Sequence, residues 1–187
     1  GMFAFCIWDS RKKRLFVGRD RIGQKPIYYT NNDEFFAFSS ELKALRKHPE
    51  IKFDINYSAL DEYFRLDYIP APLSIYKNIY KLQPGHYLIC SDNKFEIKKY
   101  WDIPGNHQIS VAENDIISKL DSLLYDSVSM RLQSDVPLGL FLSGGLDSAT
   151  ILHYMHKIVG PGVKTFSIGF EEKDFNELPL AKILSEK

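Results

Sequence analysis

The chain has 187 residues, 44% of them hydrophobic and 26% charged, which is enough apolar material for one large domain or two partial ones. Twenty-four basic residues balance 24 acidic ones, leaving no positive excess to neutralise a phosphate backbone, so nucleic acid is excluded as an expected partner. Two cysteines, Cys6 and Cys90, are too few for a disulfide scaffold or a zinc site and read as core thiols in a reducing compartment.

In chain order, residues 2–9 form an apolar run that ends at Asp9-Ser10, and residues 15–18 read as its return strand. Residues 26–30 and 34–39 form a second pair around the turn cluster Asn31-Asn32-Asp33. A short helix is expected over 40–47, capped by Ser39 or Ser40, and another over 56–66, with Leu60, Tyr63 and Phe64 at helical spacing. The prolines of Tyr68-Ile69-Pro70-Ala71-Pro72 forbid helix. Pro84-Gly85 turns the chain into a strand over 87–90, and a turn at 91–94 leads into 95–101. Residues 104–108 read as a linker, so the chain is expected to divide near residue 107 into regions 1–107 and 108–187.

Beyond the linker the period changes. Ser110 and Glu113 have the spacing of a capping box. The helix it opens carries Ile116, Leu120, Leu123, Leu124 and Val128 on one face and runs to about Leu132. Residues 138–142 are wholly apolar, as in a parallel strand covered on both faces. A helix follows Leu146, with Ile151, Leu152, Met155 and Ile158 spaced for burial, and Gly160-Pro161-Gly162 stops it. A strand over 163–168 and a helix over 178–186 complete the rhythm of an α/β domain. No segment approaches the apolar length of a membrane span, and no signal peptide opens the chain, so no membrane is expected and the cytoplasm is the default.

The sharpest chemistry lies in Leu142-Ser143-Gly144-Gly145-Leu146-Asp147-Ser148. An apolar strand runs into a glycine turn that opens a helix, which presents free N–H groups and the positive end of the helix dipole to an anion. Gly144 and Gly145 permit close approach of the backbone, while Ser143 and Ser148 add hydroxyls. Asp147 would repel bare phosphate, and fits a divalent cation held between its carboxylate and pyrophosphate. A bare Gly-Gly would read as an ordinary strand-to-helix turn, but the full string favours a ligand. No Gly-Lys-Ser/Thr follows, which excludes a Walker A loop, and the glycine spacing excludes a Rossmann fingerprint.

The string resembles the phosphate loop of the ATP pyrophosphatases. With residues 131–142 before it and Lys164-Thr165-Phe166-Ser167-Ile168-Gly169-Phe170 after it, the resemblance narrows to asparagine synthetases. It implies that Phe141 and Ile168 line an adenosine pocket and that Ser143, Gly144, Gly145 and Ser148 hold pyrophosphate. Asp147 would hold it through Mg2+. Ser148-Ala149 stands where many members have two serines, a mild departure.

The first region alone says only that it is mostly β, and residues 19–26 could be a plain charged loop. However, the ordered matches Gly1-Met2-Phe3-Ala4-Phe5, Trp8-Asp9, Arg19-Asp20, Gly23, Pro26, Tyr28-Tyr29, residues 38–45 and residues 81–87 resemble a class II glutamine amidotransferase domain. The implied fold is α/β overall. It comprises the C-terminal half of an N-terminal-nucleophile-type α/β/β/α glutaminase domain (1–107), then the start of a parallel-sheet adenine-nucleotide α-hydrolase-like, or ATP-pyrophosphatase, domain (108–187).

The family's nucleophile is an N-terminal cysteine, whereas residue 1 here is glycine and Cys6 lies within an apolar strand, where packing is the favoured role. The expectation is an internal fragment without catalytic residues of its own, inactive alone, with exposed apolar edges. Arg19, Asp20, Ser39, Ser40 and Glu41 are expected towards the second domain, shaping a route for ammonia. The substrates implied for the parent enzyme are ATP, aspartate and glutamine, and the product is asparagine. The rivals are a related synthetase acting on another carboxylate, such as a β-lactam-forming enzyme, and a nucleotide-binding module that catalyses nothing. The five histidines offer no credible metal set; His153 and His156 share a helix surface. The oligomeric state is not readable, and a homodimer stays open.

Overall fold

A computed structural model describes residues 1–91, 94–105, 111–172, 174 and 176–186. The chain separates into two compact units, Gly1–His107 and Gln108–Lys187. Part of the expected linker, residues 106–108, lies outside the described residues, as does Ser110.

The first unit is built from antiparallel strands. Strands β1 (Ala4–Asp9) and β2 (Arg14–Arg19) form the expected hairpin, in which the Asp9 carboxylate accepts the amides of Arg11 and Lys12 at 3.1 Å each. The second hairpin joins β3 (Tyr28–Asn31) and β4 (Phe36–Ser39), its turn held by the Asn32 side chain, which accepts the amides of Glu34 and Phe35. Helices α1 (Leu42–Leu45) and α2 (Tyr57–Leu66) follow. Then come β5 (Tyr80–Lys81), β6 (His86–Ser91) and β7 (Lys94–Lys99). One sheet runs β1-β2-β6-β7 and another β4-β3-β5.

Alternation places Leu15 and Val17 of β2 on the same face as their β6 partners Cys90 and Leu88. That face closes over Tyr29 of β3, with Ile27 and Leu82 between. Val17 and Leu88 are each only 1% exposed, and complete burial of such side chains contributes roughly 1.5–3 kcal/mol apiece. Cys6 shares this face across from Val17, yet it is exposed, contrary to the expected core role. The reason is position: β1 is the edge strand, and its Ile7 and Trp8 are exposed too.

Local capping differs from expectation at α1. Its N-cap is Glu41, with no side-chain cap bond, because the Ser39 hydroxyl donates to the Glu41 carbonyl instead. At α2 the N-cap is Asn56, whose side chain accepts the Ala59 amide, and the residue turned fully inward is Ala59. Tyr63 and Phe64 are exposed.

The second unit comprises α3 (Glu113–Arg131), β8 (Leu140–Phe141), α4 (Leu146–Val159), β9 (Thr165–Phe166) and α5 (Leu178–Ser185). Helix α3 has Ala112 at its N-cap with no side-chain bond, so the helix begins later than the expected capping box places it. Only the C-terminal part of its apolar face is covered: Val128 is buried against Tyr154 and Met155 of α4, with Leu124 and Leu132 beside them, while Ile116, Leu120 and Leu123 are exposed. The Tyr154 hydroxyl donates to Asp121 at 2.8 Å, tying the two helices together. Strands β8 and β9 pair in parallel but are shorter than expected, and they are not covered on both faces, since Leu142 is 2% exposed and Phe141 78%. Gly160, at φ +81, ends α4 where a glycine stop was expected. Among the described residues, no helix is long and apolar enough to cross a membrane.

Candidate functional site

Residues 142–145 connect β8 to α4, and Ser148 lies in the first turn of that helix. The start of this connection is pinned by the neighbouring strand: the Leu142 amide donates to the Phe166 carbonyl at 2.8 Å, and the Leu142 carbonyl accepts the Ser167 hydroxyl at 2.6 Å. Gly139 makes the approach of the strands possible, because a Cβ there would collide with the Phe166 ring.

Beyond Leu142 the loop folds around two hydroxyls. The Ser143 amide donates to the Ser148 hydroxyl at 3.3 Å, and the two serine hydroxyls lie 3.0 Å apart. The Gly145 amide donates to the Ser143 hydroxyl, while the Ser148 hydroxyl donates to the Gly145 carbonyl. Gly144 has φ +81, a conformation that L side chains rarely adopt. Gly145 is the N-cap of α4 and has no capping side chain, so the first-turn amides of Leu146, Asp147 and Ser148 lack intrahelical acceptors. Such a ring of donors at a helix N-terminus suits an anion.

Phe141 at the end of β8, Ser143, Gly144 and Gly145 in the turn, and Asp147 and Ser148 in the first turn of α4 therefore lie on one continuous strand–turn–helix segment. Ile168 lies on the adjoining loop, two residues past Phe166, the residue paired with Phe141. Phe141 and Ile168 are 78% and 70% exposed. Asp147 is exposed in the first turn of α4. One carboxylate is what a phosphate-bound Mg2+ commonly takes from a protein, so the donor set fits such an ion. Among the described residues, no group of three or more His, Cys, Asp or Glu side chains could hold a metal by itself.

In the first unit, Arg19 and Asp20 are not part of a solvated charged loop; they are 9% and 1% exposed. The Asp20 carboxylate accepts the amides of Ile22, Gln24 and Lys25 at 3.0–3.2 Å. Burial alone would push its carboxyl up, but these amides outweigh that and hold it below the usual value. The Arg19 guanidinium donates to the carbonyls of Lys25, Gly23 and Leu82, and the Tyr100 hydroxyl donates to the Arg19 carbonyl. Both side chains thus close the loop on its own unit. Ser39, Ser40 and Glu41 sit at the end of β4 and the start of α1. Among the described residues, no side-chain hydrogen bond or ion pair joins them to Arg19 or Asp20. Sequence reasoning missed the parts played by Ser167, Tyr100 and Leu82, whose partners are remote in the chain and carry no local signal.

Residues 1–101 match the family model of the glutamine amidotransferase domain, and residues 119–187 match that of asparagine synthase. The chain belongs to the glutamine amidotransferase domain family, with a region similar to asparagine synthase after it. A Methanocaldococcus jannaschii relative, provisionally named asparagine synthetase [glutamine-hydrolyzing] 2, is 46% identical over 98% of this chain and 36% of its own length. Asparagine synthetase [glutamine-hydrolyzing] 3 of Bacillus subtilis is 38% identical over 93% of this chain and 29% of its own length. A Gibberella zeae protein named amidase chry2 is 32% identical over 88% of this chain and 24% of its own length. The chain thus spans about a third or less of the length of these relatives. Its two matched regions are separated by the interval 102–118, which contains the boundary between the compact units.

Proposed function

We propose that this chain is part of an ATP-dependent amidotransferase that makes asparagine from aspartate and glutamine-derived ammonia. The observation that carries the reading is the turn Ser143–Ser148, which gathers two hydroxyls, a left-handed glycine and the first-turn amides of α4 beside one carboxylate. In this reading residues 1–107 belong to the glutaminase domain and 108–187 to the synthetase domain, which contributes the nucleotide loop.

The proposed reaction proceeds in two displacements. A β-carboxylate oxygen of aspartate attacks the α-phosphorus of ATP, and the bond to the β-phosphate oxygen breaks, giving β-aspartyl-adenylate and pyrophosphate. Ammonia then attacks the acyl carbon, AMP leaves with that oxygen, and loss of a proton gives asparagine. The loop amides and the Ser143 and Ser148 hydroxyls stabilise the charge that builds on departing pyrophosphate. Mg2+ at Asp147 would supply further charge neutralisation when bound. Phe141 and Ile168 line the adenosine side. Arg19 and Asp20 act by fixing the loop at 20–25, and with Ser39, Ser40 and Glu41 they shape the passage of ammonia.

Aspartate labelled with 18O in its β-carboxylate tests this in the whole protein. One label per turnover should pass to AMP. Label in inorganic phosphate, with ADP as co-product, would overturn the adenylate. One relative carries a name other than synthetase, and the second reading has the same adenylation act on another carboxylate. Label transfer to AMP from a different acid, with aspartate inert, would select it.

A further inference from the structure

Two glycines flank the candidate nucleotide site, and both are pressed by one helix. A Cβ on Gly144 would lie 2.6 Å from the Leu180 Cβ and 3.2 Å from the Ala181 amide nitrogen. A Cβ on Gly169 would collide with the Leu178 side chain. Gly144 belongs to the loop after β8, and Gly169 follows Ile168 on the loop after β9. The first turn of α5 therefore packs against both loops, at the C-terminal end of the parallel strand pair. Its start is fixed locally: the Leu178 amide donates to the Asn176 side chain at 3.1 Å, and Glu177 is the N-cap, with Pro179 in the first turn.

We propose that the first turn of α5 sets the separation of the phosphate loop from the Ile168 loop, with Leu178 as the positioning side chain, and so the fit of a ligand spanning both. The proposal rests on the nucleotide reading given above. Beside the Leu140–Thr165 and Phe141–Phe166 pairing, α5 touches both loops beyond the strand ends, where two residues of ladder give little stiffness. Leu180 bears on Gly144 itself, between the two residues whose amide and hydroxyl groups close the turn. Leu178 bears on the other loop. Truncating Leu178 removes the atoms that meet the Ile168 loop and leaves the loop donors in place, whereas Leu180 meets Gly144 through its Cβ and backbone, which alanine retains.

A ligand touching only one loop should not sense this separation. ATP would touch both, and inorganic pyrophosphate only the phosphate loop. In the full chain, Leu178→Ala is expected to weaken Mg2+·ATP binding about fivefold while changing Mg2+·pyrophosphate binding much less, because the loss is one of preorganisation, whereas Leu180→Ala, which keeps the atoms facing Gly144, should change neither. Leu178→Met, which preserves volume, should restore ATP binding, and it serves as the probe if the alanine variant does not fold. Equal weakening of ATP and pyrophosphate by Leu178→Ala, or no effect of it on either, would overturn the positioning role while leaving the nucleotide reading intact. Failure of the unaltered chain to bind ATP would overturn the nucleotide reading and the proposal with it.

Discussion

The hydroxyls of Ser143 and Ser148 lie 3.0 Å apart across the turn that opens α4, each also bonded to a backbone group of the same turn. The sequence separates them by five positions, and the turn closes them into one cyclic arrangement. Ser148 accepts from the Ser143 amide and donates to the Gly145 carbonyl, so it organises the loop.

Ser148→Ala should therefore weaken Mg2+·ATP binding by about 1 kcal/mol or somewhat more, since one hydroxyl is lost and the Ser143 amide loses its acceptor. Calorimetric titration checks this. The helix should persist, because α4 remains anchored through Tyr154 and Met155, and far-ultraviolet circular dichroism should be unchanged.

Asp20 makes the stability of the first unit acid-sensitive. Its folded-state carboxyl titrates below the ordinary value, so its contribution is fully present above about pH 4 and is lost as pH falls through the lowered folded-state value. Asp20→Asn should destabilise the unit by about 2 kcal/mol at neutral pH, because an amide nitrogen then faces backbone donors. It should also flatten the acid limb of the stability profile. Urea unfolding between pH 3 and 7 reads both effects.

Gly85 occupies φ +66, and a Cβ there would lie 2.5 Å from the Trp101 carbonyl oxygen. Its amide donates to the Asp20 carbonyl, and its own carbonyl accepts the amides of Tyr100 and Trp101. Gly85→Ala should cost about 2 kcal/mol or more, combining left-handed strain with backbone collision. The urea midpoint of the first unit should fall accordingly, whereas Gly105→Ala, with open space around it, should leave the midpoint in place.

Much of this architecture is legible locally. Asn32 holds the turn between β3 and β4 because its side chain can mimic a backbone acceptor, and Gly160 ends α4 through positive φ. The elements shortened or shifted are those decided by distant partners. Serine looks like the cap of α1 by composition, yet the Ser39 hydroxyl prefers the Glu41 carbonyl. Cys6 alternates correctly onto the core face, but period alone cannot say that β1 is an edge strand. The turn between β8 and α4 is legible because its glycines and serines fall within six positions. Its buttress is not: Leu178 and Leu180 read as ordinary helix residues until Gly144 and Gly169 are placed beside them.

The central claim is that the turn Ser143–Ser148 holds the phosphates of ATP, with Asp147 acting through Mg2+. Calorimetric titration of ATP into the full chain, with and without Mg2+ and alongside folded Asp147→Ala, tests it most directly. The account predicts binding that requires Mg2+ in the unaltered chain and is weakened in the variant by about tenfold or more. Binding equally tight without Mg2+, or undiminished by Asp147→Ala, would contradict it.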